Sequence, residues 1–146
     1  MMKRLFAGQL FPSATDVGIL VLRVVVGIAL FLRHGVEKLA HFSTMAAHFP
    51  NPIHIGAVPS LVIALISDSI CSLLVVVGLA TRWAALFSCC NMAVALAFVH
   101  HFQFFGPKGD HGELIVVYLG SMAALFFTGG GRYSVDHWIM SREPER

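Results

Sequence analysis

Apolar residues gather in four long windows separated by short polar breaks. Val17–Leu32 holds one charge, Arg23, and Ala57–Ala80 holds only Asp68, while Trp83–Val99 and Leu114–Thr128 hold none. Each window extends through Gly, His, Phe or amphipathic ends toward the roughly 20 residues that a membrane-crossing helix needs. Helices are therefore predicted over 15–40, 57–80, 83–103 and 112–130. Lipid leaves the backbone only helices or closed barrels, and no period-two alternation marks a barrel. The fold class that follows is all-α, a four-transmembrane-helix antiparallel bundle. The first window does not read as a cleavable signal: its apolar stretch is long, holds an arginine and lacks a small-residue cleavage site.

Composition removes the soluble alternatives. The 146 residues are 57% hydrophobic and only 12% charged, where soluble domains carry roughly a quarter charged. One soluble domain of this length cannot hide so much apolar surface, and such a chain is not disordered. The net charge is only +2, and no basic run suggests a nucleic-acid partner. The lipid bilayer is the expected surrounding.

Basic residues orient the bundle. With four spans, Lys3, Arg4, Arg82, Arg132, Arg142 and Arg146 share one side, against Arg33, Lys38 and Lys108 on the other. The excess places both termini in the cytoplasm, in what reads as a bacterial inner membrane. Residues 1–14 and 132–146 are then cytoplasmic tails around a membrane domain at 15–131. Thr81-Arg82 reads as a tight turn, and Gly106-Pro107-Lys108-Gly109-Asp110 as another. In the longer segment from His41 to Gly56, Phe42, Met45, Phe49 and Ile53 are expected on the outer membrane surface.

Ionisable groups at membrane depth carry the functional information, since such charges are costly and face a bundle interior. Counting from the cytoplasmic ends, Arg23 lies roughly 10 Å and Asp68 roughly 18 Å up, a gap that an extended arginine bridges. The expected pair serves either as a clamp between two helices or as the polar floor of a ligand pocket. Snorkelling of Arg23 to the interface is the third reading. Toward the outer side, Arg23, Gly27, Leu30, His34, Glu37, Lys38 and His41 share one helical face. The same counting puts His34, His100, His101 and Glu113 within about 6 Å of one level. Histidines and desolvated carboxylates there suit proton exchange beside a redox ligand; the alternative is interfacial groups that merely meet water.

Metal and thiol chemistry find little support. The eight histidines show no HExxH or Cys/His ligand spacing, although His34 with His100 or His101 could still face a haem. Cys71, Cys89 and Cys90 contain no CxxC and sit inside apolar windows, which favours packing over thiol redox chemistry. Asn91 and Tyr118 read as an interhelical hydrogen-bonding pair or as pocket wall. Gly27, Gly78 and Gly120 read as close-packing positions.

Taken in order, several fragments resemble the DoxX family almost end to end. They are Leu22-Arg23-Val24-Val25-Val26-Gly27 and Arg33-His34-Gly35-Val36-Glu37-Lys38-Leu39; then Gly78-Leu79-Ala80-Thr81-Arg82-Trp83-Ala84-Ala85-Leu86, similar to a GLxTRxAAL turn. Met92 to His100, Gly112-Glu113-Leu114, and Thr128-Gly129-Gly130-Gly131-Arg132-Tyr133-Ser134-Val135-Asp136 complete the set, the last similar to a TGPGxxSLD signature. Asp68 departs from the pattern, standing where relatives often have glutamate.

The resemblance implies a four-helix integral membrane protein. Relatives include the small membrane subunit of thiosulfate:quinone oxidoreductase, so the implied role is a membrane subunit of a redox complex that binds a quinone. A redox-protein partner or a homo-oligomer would complete it, because the sequence shows no flavin, nicotinamide or iron–sulfur motif. In this reading the catalytic, proton-exchanging candidates are His34, His100 and Glu113. The ligand-binding candidates are Arg23, Asp68, Lys38, Glu37, Asn91, Tyr118 and His101, and no residue is assigned to a metal. The alternatives are a non-catalytic membrane anchor or assembly factor and, less supported without an inverted repeat, a small-molecule transporter.

Overall fold

The computed structural model describes residues 14–102 and 112–142, and within them the chain is helical without strands. Lys3, Arg4, Lys108, Arg146 and the expected turn at 106–110 lie outside the described residues. The helices are α1 (Ala14–Ala40), α2 (Phe42–Ala46), α3 (Ala57–Val77), α4 (Thr81–Val99), α5 (Gly112–Thr128) and α6 (Val135–Met140). By length and composition α1, α3 and α4 are able to cross a membrane, and α5 is a shorter apolar helix.

The helix ends follow local backbone chemistry. α3 stops at Val77 because Gly78 takes φ +76°, a left-handed value that costs glycine little. Its N–H reaches the Leu74 carbonyl at 2.9 Å, and Leu79 N–H reaches the same oxygen at 3.0 Å. This glycine-terminated cap satisfies carbonyls the helix leaves open. The turn is therefore Gly78 to Ala80, and Thr81-Arg82, expected as the turn, instead open α4. Ala80 adopts φ +48° without being glycine, and the Asp136 carboxylate holds it there by accepting its N–H at 2.6 Å. The same carboxylate accepts the Thr81 N–H at 2.9 Å and the Thr81 hydroxyl at 2.8 Å. The segment after Gly131, read from sequence as a polar tail, thus begins as part of the bundle end.

Small residues set the register between α1 and α3. A Cβ on Gly27 would stand 2.5 Å from Val76 Cγ2 and 2.8 Å from the Ser72 carbonyl oxygen; one on Gly35 would stand 2.5 Å from the Asp68 carbonyl oxygen. Gly27 is the close-packing position expected, whereas Gly120 faces open space. Leu30, Leu61, Val75, Ala85, Met122 and Leu125 are fully buried at the centre. The outside of α1 is also apolar: Val17, Val21, Val25, Ile28, Leu32, Val36 and Leu39 form an exposed stripe at spacings of three and four. Water would not tolerate that surface, but lipid would.

Three helices widen locally to π-type turns, at Phe31–Gly35 in α1, Ile66–Cys71 in α3 and Ala95–Val99 at the end of α4. The signature is a hydrogen bond five residues long, as from Val36 N–H to the Phe31 carbonyl and from His100 N–H to the Ala95 carbonyl. Such turns loosen the regular ladder and recur at functional sites. All three contribute to one cavity.

Candidate functional site

Arg23 and Asp68, expected as a pair, lie at different ends of the bundle. Gly78 packs against the Arg23 guanidinium, whereas Asp68 is level with Gly35. The ten residues between Asp68 and Gly78 separate the two levels by roughly 15 Å. The sequence estimate took the helices to start flush. In fact α1 runs well past the end of α3, so Arg23 meets the α3 terminus rather than its middle.

Arg23 is 1% exposed and binds main chain only. Its Nε donates to the Val75 carbonyl at 2.9 Å and its Nη2 to the Val76 carbonyl at 2.9 Å. Its Nη1 donates to the carbonyls of Gly130 and Tyr133. A guanidinium has the planar spread of donors this arrangement needs. The buried cation fills carbonyls at the end of α3 and in the strap that leaves α5, clamping the two together; no carboxylate is hydrogen-bonded to it among the described residues, although the Asp136 charge acts on it from nearby.

Asp68 instead takes Lys38, with Nζ to Oδ2 at 2.7 Å and side-chain exposures of 12% and 4%. Lys38 Nζ also approaches the His34 carbonyl at 3.5 Å. Among the described residues, the other carboxylate oxygen, Asp68 Oδ1, is buried without a hydrogen-bond partner, as are the hydroxyls of Ser67 and Ser69. Buried acceptors are nearly always filled, and leaving one empty is costly.

This half-filled carboxylate stands on the wall of a cavity of about 250 Å³. His34, Lys38, Asn91, His100 and Tyr118 share the wall, and Ser60, Ala64, Met92, Val94, Ala95, Val99 and Ile115 supply most of the rest. The His34 and Tyr118 rings meet edge to face at 6.0 Å between centroids. Met45, Phe49, Pro50 and Pro52 close the outer side. Their segment is fastened by Asn51, whose Oδ1 accepts the Gly56 N–H at 2.9 Å.

Six sequence candidates are therefore brought together: His34, Lys38, Asp68, Asn91, His100 and Tyr118. Asn91 and Tyr118 take the pocket-wall place of their two expected readings. Four candidates stand elsewhere. Arg23 is the clamp just described. Glu37 is exposed and lies 3.6 Å from Arg33 one helical turn away. Glu113 is exposed on the first turn of α5, and His101 is exposed with φ +47° just beyond α4. The common level estimated for these groups is not a common direction, because a helix turns about 100° per residue.

Sequence reasoning missed the roof. Met45 and Phe49 were expected on the membrane surface; they line the cavity, ahead of a turn from Asn51 to His54 with Pro52 inside it. The paired prolines were the available signal. Among the described residues no cluster of His, Cys, Asp or Glu is placed to hold a metal. Cys71 is buried, Cys89 half-buried and Cys90 exposed, all as free thiols.

Comparison with known proteins agrees with the membrane architecture. The chain is 32% identical over 125 residues to an uncharacterized protein of Haemophilus influenzae, an alignment spanning 80% of this chain and 86% of that one. No solved structure matches it. The DoxX family matches residues 18–101, which hold Arg23 with its two α3 acceptors and the Lys38–Asp68 pair. The apolar helices make this a multi-pass membrane protein, and the match over most of the chain makes it a member of the DoxX family.

Proposed function

We propose that the chain is a membrane subunit of a redox complex that binds the ring of a quinone in the cavity between α1, α3, α4 and α5. The observation that carries this reading is the half-filled Asp68 carboxylate, buried on a mostly apolar wall of a cavity of about 250 Å³. Ligand sites combine an apolar lining with a few convergent polar groups, and span about 300–1,000 Å³ for drug-sized ligands. This cavity is at the small end, which suits a ring with its tail left in lipid.

Each polar wall residue has a task in that reading. Asp68 Oδ1 would accept a hydrogen bond from a ring hydroxyl, and Lys38 Nζ would donate one to a ring oxygen. Tyr118 and Asn91 would orient the ring plane, and His34 and His100 would exchange protons with the outer aqueous side, taking them up as the ring is reduced and releasing them as it is oxidised. Glu37, His101 and Glu113 are exposed and absent from the cavity wall, and would exchange those protons with water rather than touch the ring. Quinone supplies two-electron, two-proton chemistry, and a redox-protein partner or a second copy supplies the electron path.

The same reading makes α5 a fourth span. Its 17 residues cover about 25 Å, close to a hydrocarbon core of about 30 Å. Arg82, Arg132 and Arg142 lie at one end of the bundle and Arg33 and Lys38 at the other, which supports cytoplasmic termini in a bacterial inner membrane.

Lipid extraction from the purified protein tests the proposal. A stoichiometric quinone is expected, falling roughly tenfold in Asp68→Asn, the scale of one hydrogen bond to a charged group. Quinone no higher than in the surrounding membrane extract would overturn the reading and leave a non-catalytic membrane anchor in its place.

A further inference from the structure

The turn motif containing Arg82 and the glycine run 129–131 meet at the end of the bundle opposite the quinone cavity. Between them opens a cleft of about 510 Å³. Its floor lacks side chains at Gly129, Gly130 and Gly131, and the Arg82 side chain crosses that floor: a Cβ on Gly129 would stand 3.1 Å from Arg82 Nε.

The charges around this cleft are unevenly engaged. Asp136 is spent on Ala80 and Thr81, as described, and Asp16 Oδ1 accepts the Arg132 N–H at 3.0 Å. The guanidinium groups of Arg82 and Arg132 are both exposed and have no hydrogen bond or ion pair among the described residues. Two guanidinium groups with free donors thus border a cleft whose two carboxylates, though still charged, accept from main-chain N–H groups and the Thr81 hydroxyl. A phosphate fits that arrangement, since guanidinium presents paired N–H donors to its oxygens.

The neighbourhood distinguishes a lipid phosphate from a free one. Trp83 is 74% exposed, Phe127 75% and Met140 72%, so large apolar side chains flank the basic rim. Aromatic groups beside arginine mark the level of lipid headgroups, and the exposed faces of α4 and α5 below them offer a path for acyl chains. We infer that Arg82 and Arg132 form a headgroup site for an anionic phospholipid at this end of the bundle, separate from the quinone cavity.

Native mass spectrometry of the detergent-solubilised full chain, offered phosphatidylglycerol and phosphatidylcholine in equal amounts, tests the site. Wild type is expected to retain phosphatidylglycerol preferentially. Arg82→Gln and Arg132→Gln should each weaken that retention about fivefold, the scale of one basic side chain at an anionic surface. Arg33→Gln, at the other end, should leave it unchanged, and quinone content should stay constant throughout. Equal retention of the two lipids, or retention unchanged in both arginine variants, would overturn the inference. Displacement of the lipid by millimolar inorganic phosphate would also overturn it, assigning the site to a free anion. Arg132→Gln alone decides the matter if Arg82→Gln fails to fold, because Arg132 is exposed beyond the helices.

Discussion

The two ends of the bundle each bury a cation, and they treat it in opposite ways. At one end Arg23 donates to four main-chain carbonyls across α3 and the strap after α5. At the other, Lys38 binds one carboxylate oxygen of Asp68, and the second oxygen, beside a cavity, has no partner among the described residues. A buried cation that places four of its five donors on main-chain carbonyls ties the surrounding elements together. One that is half satisfied next to open space is the observation on which the proposed ligand site rests. Arg23 is fully buried and Lys38 largely so; the accounting of donors and acceptors is what separates their roles.

The largest expected effect falls on the satisfied end. Arg23→Leu strands four carbonyls in an apolar setting, and a loss on the order of 5 kcal/mol is expected from bonds to a charged donor. The measurement is the midpoint of thermal unfolding in detergent, and a shift too small to resolve would break the comparison. Next come Lys38→Met and Asp68→Asn, each leaving one buried charge unpaired at about 3–5 kcal/mol. Their double mutant should recover much of that loss. By contrast, Arg23→Leu combined with Asp68→Asn should add to within about 0.5 kcal/mol, because the two sites share no partner. A strong coupling there would restore the direct pair that the sequence suggested.

Smaller effects sharpen the picture. Asp136→Ala removes three bonds at the start of α4 and should cost on the order of 1–2 kcal/mol, as loss of a helix cap does. It should leave quinone content unchanged. Glu113→Gln, at an exposed position, is expected to leave both stability and quinone content unaltered, and any role in proton release would show only as a changed pH dependence of turnover in the complex.

The legible parts of this molecule were those written in one-dimensional pattern. Apolar windows gave the helices to within a few residues, because lipid imposes length and composition directly. Lys38, His34, Asp68, Asn91, His100 and Tyr118 were legible as polar groups at membrane depth. Their common cavity was less so, since it depends on how three wide turns rotate successive side chains. The Arg23 partner was misread for a related reason. Its acceptors are backbone oxygens, which every residue carries and no sequence advertises, and the offset between α1 and α3 is set by Gly27 and Gly35. The glycine run 129–131 was visible as a motif, but its strap over Arg23 was not.

The central claim is that the Lys38–Asp68 end receives the ring while the Arg23 end does not. Photolabelling with an azidoquinone in native membranes, followed by peptide mapping, tests it most directly. Label is expected in α1 around His34 and in α4 between Asn91 and His100, competed by unmodified quinone and reduced in Asp68→Asn. Competed label confined to the strap at 129–134, or no competed label anywhere, would contradict the account.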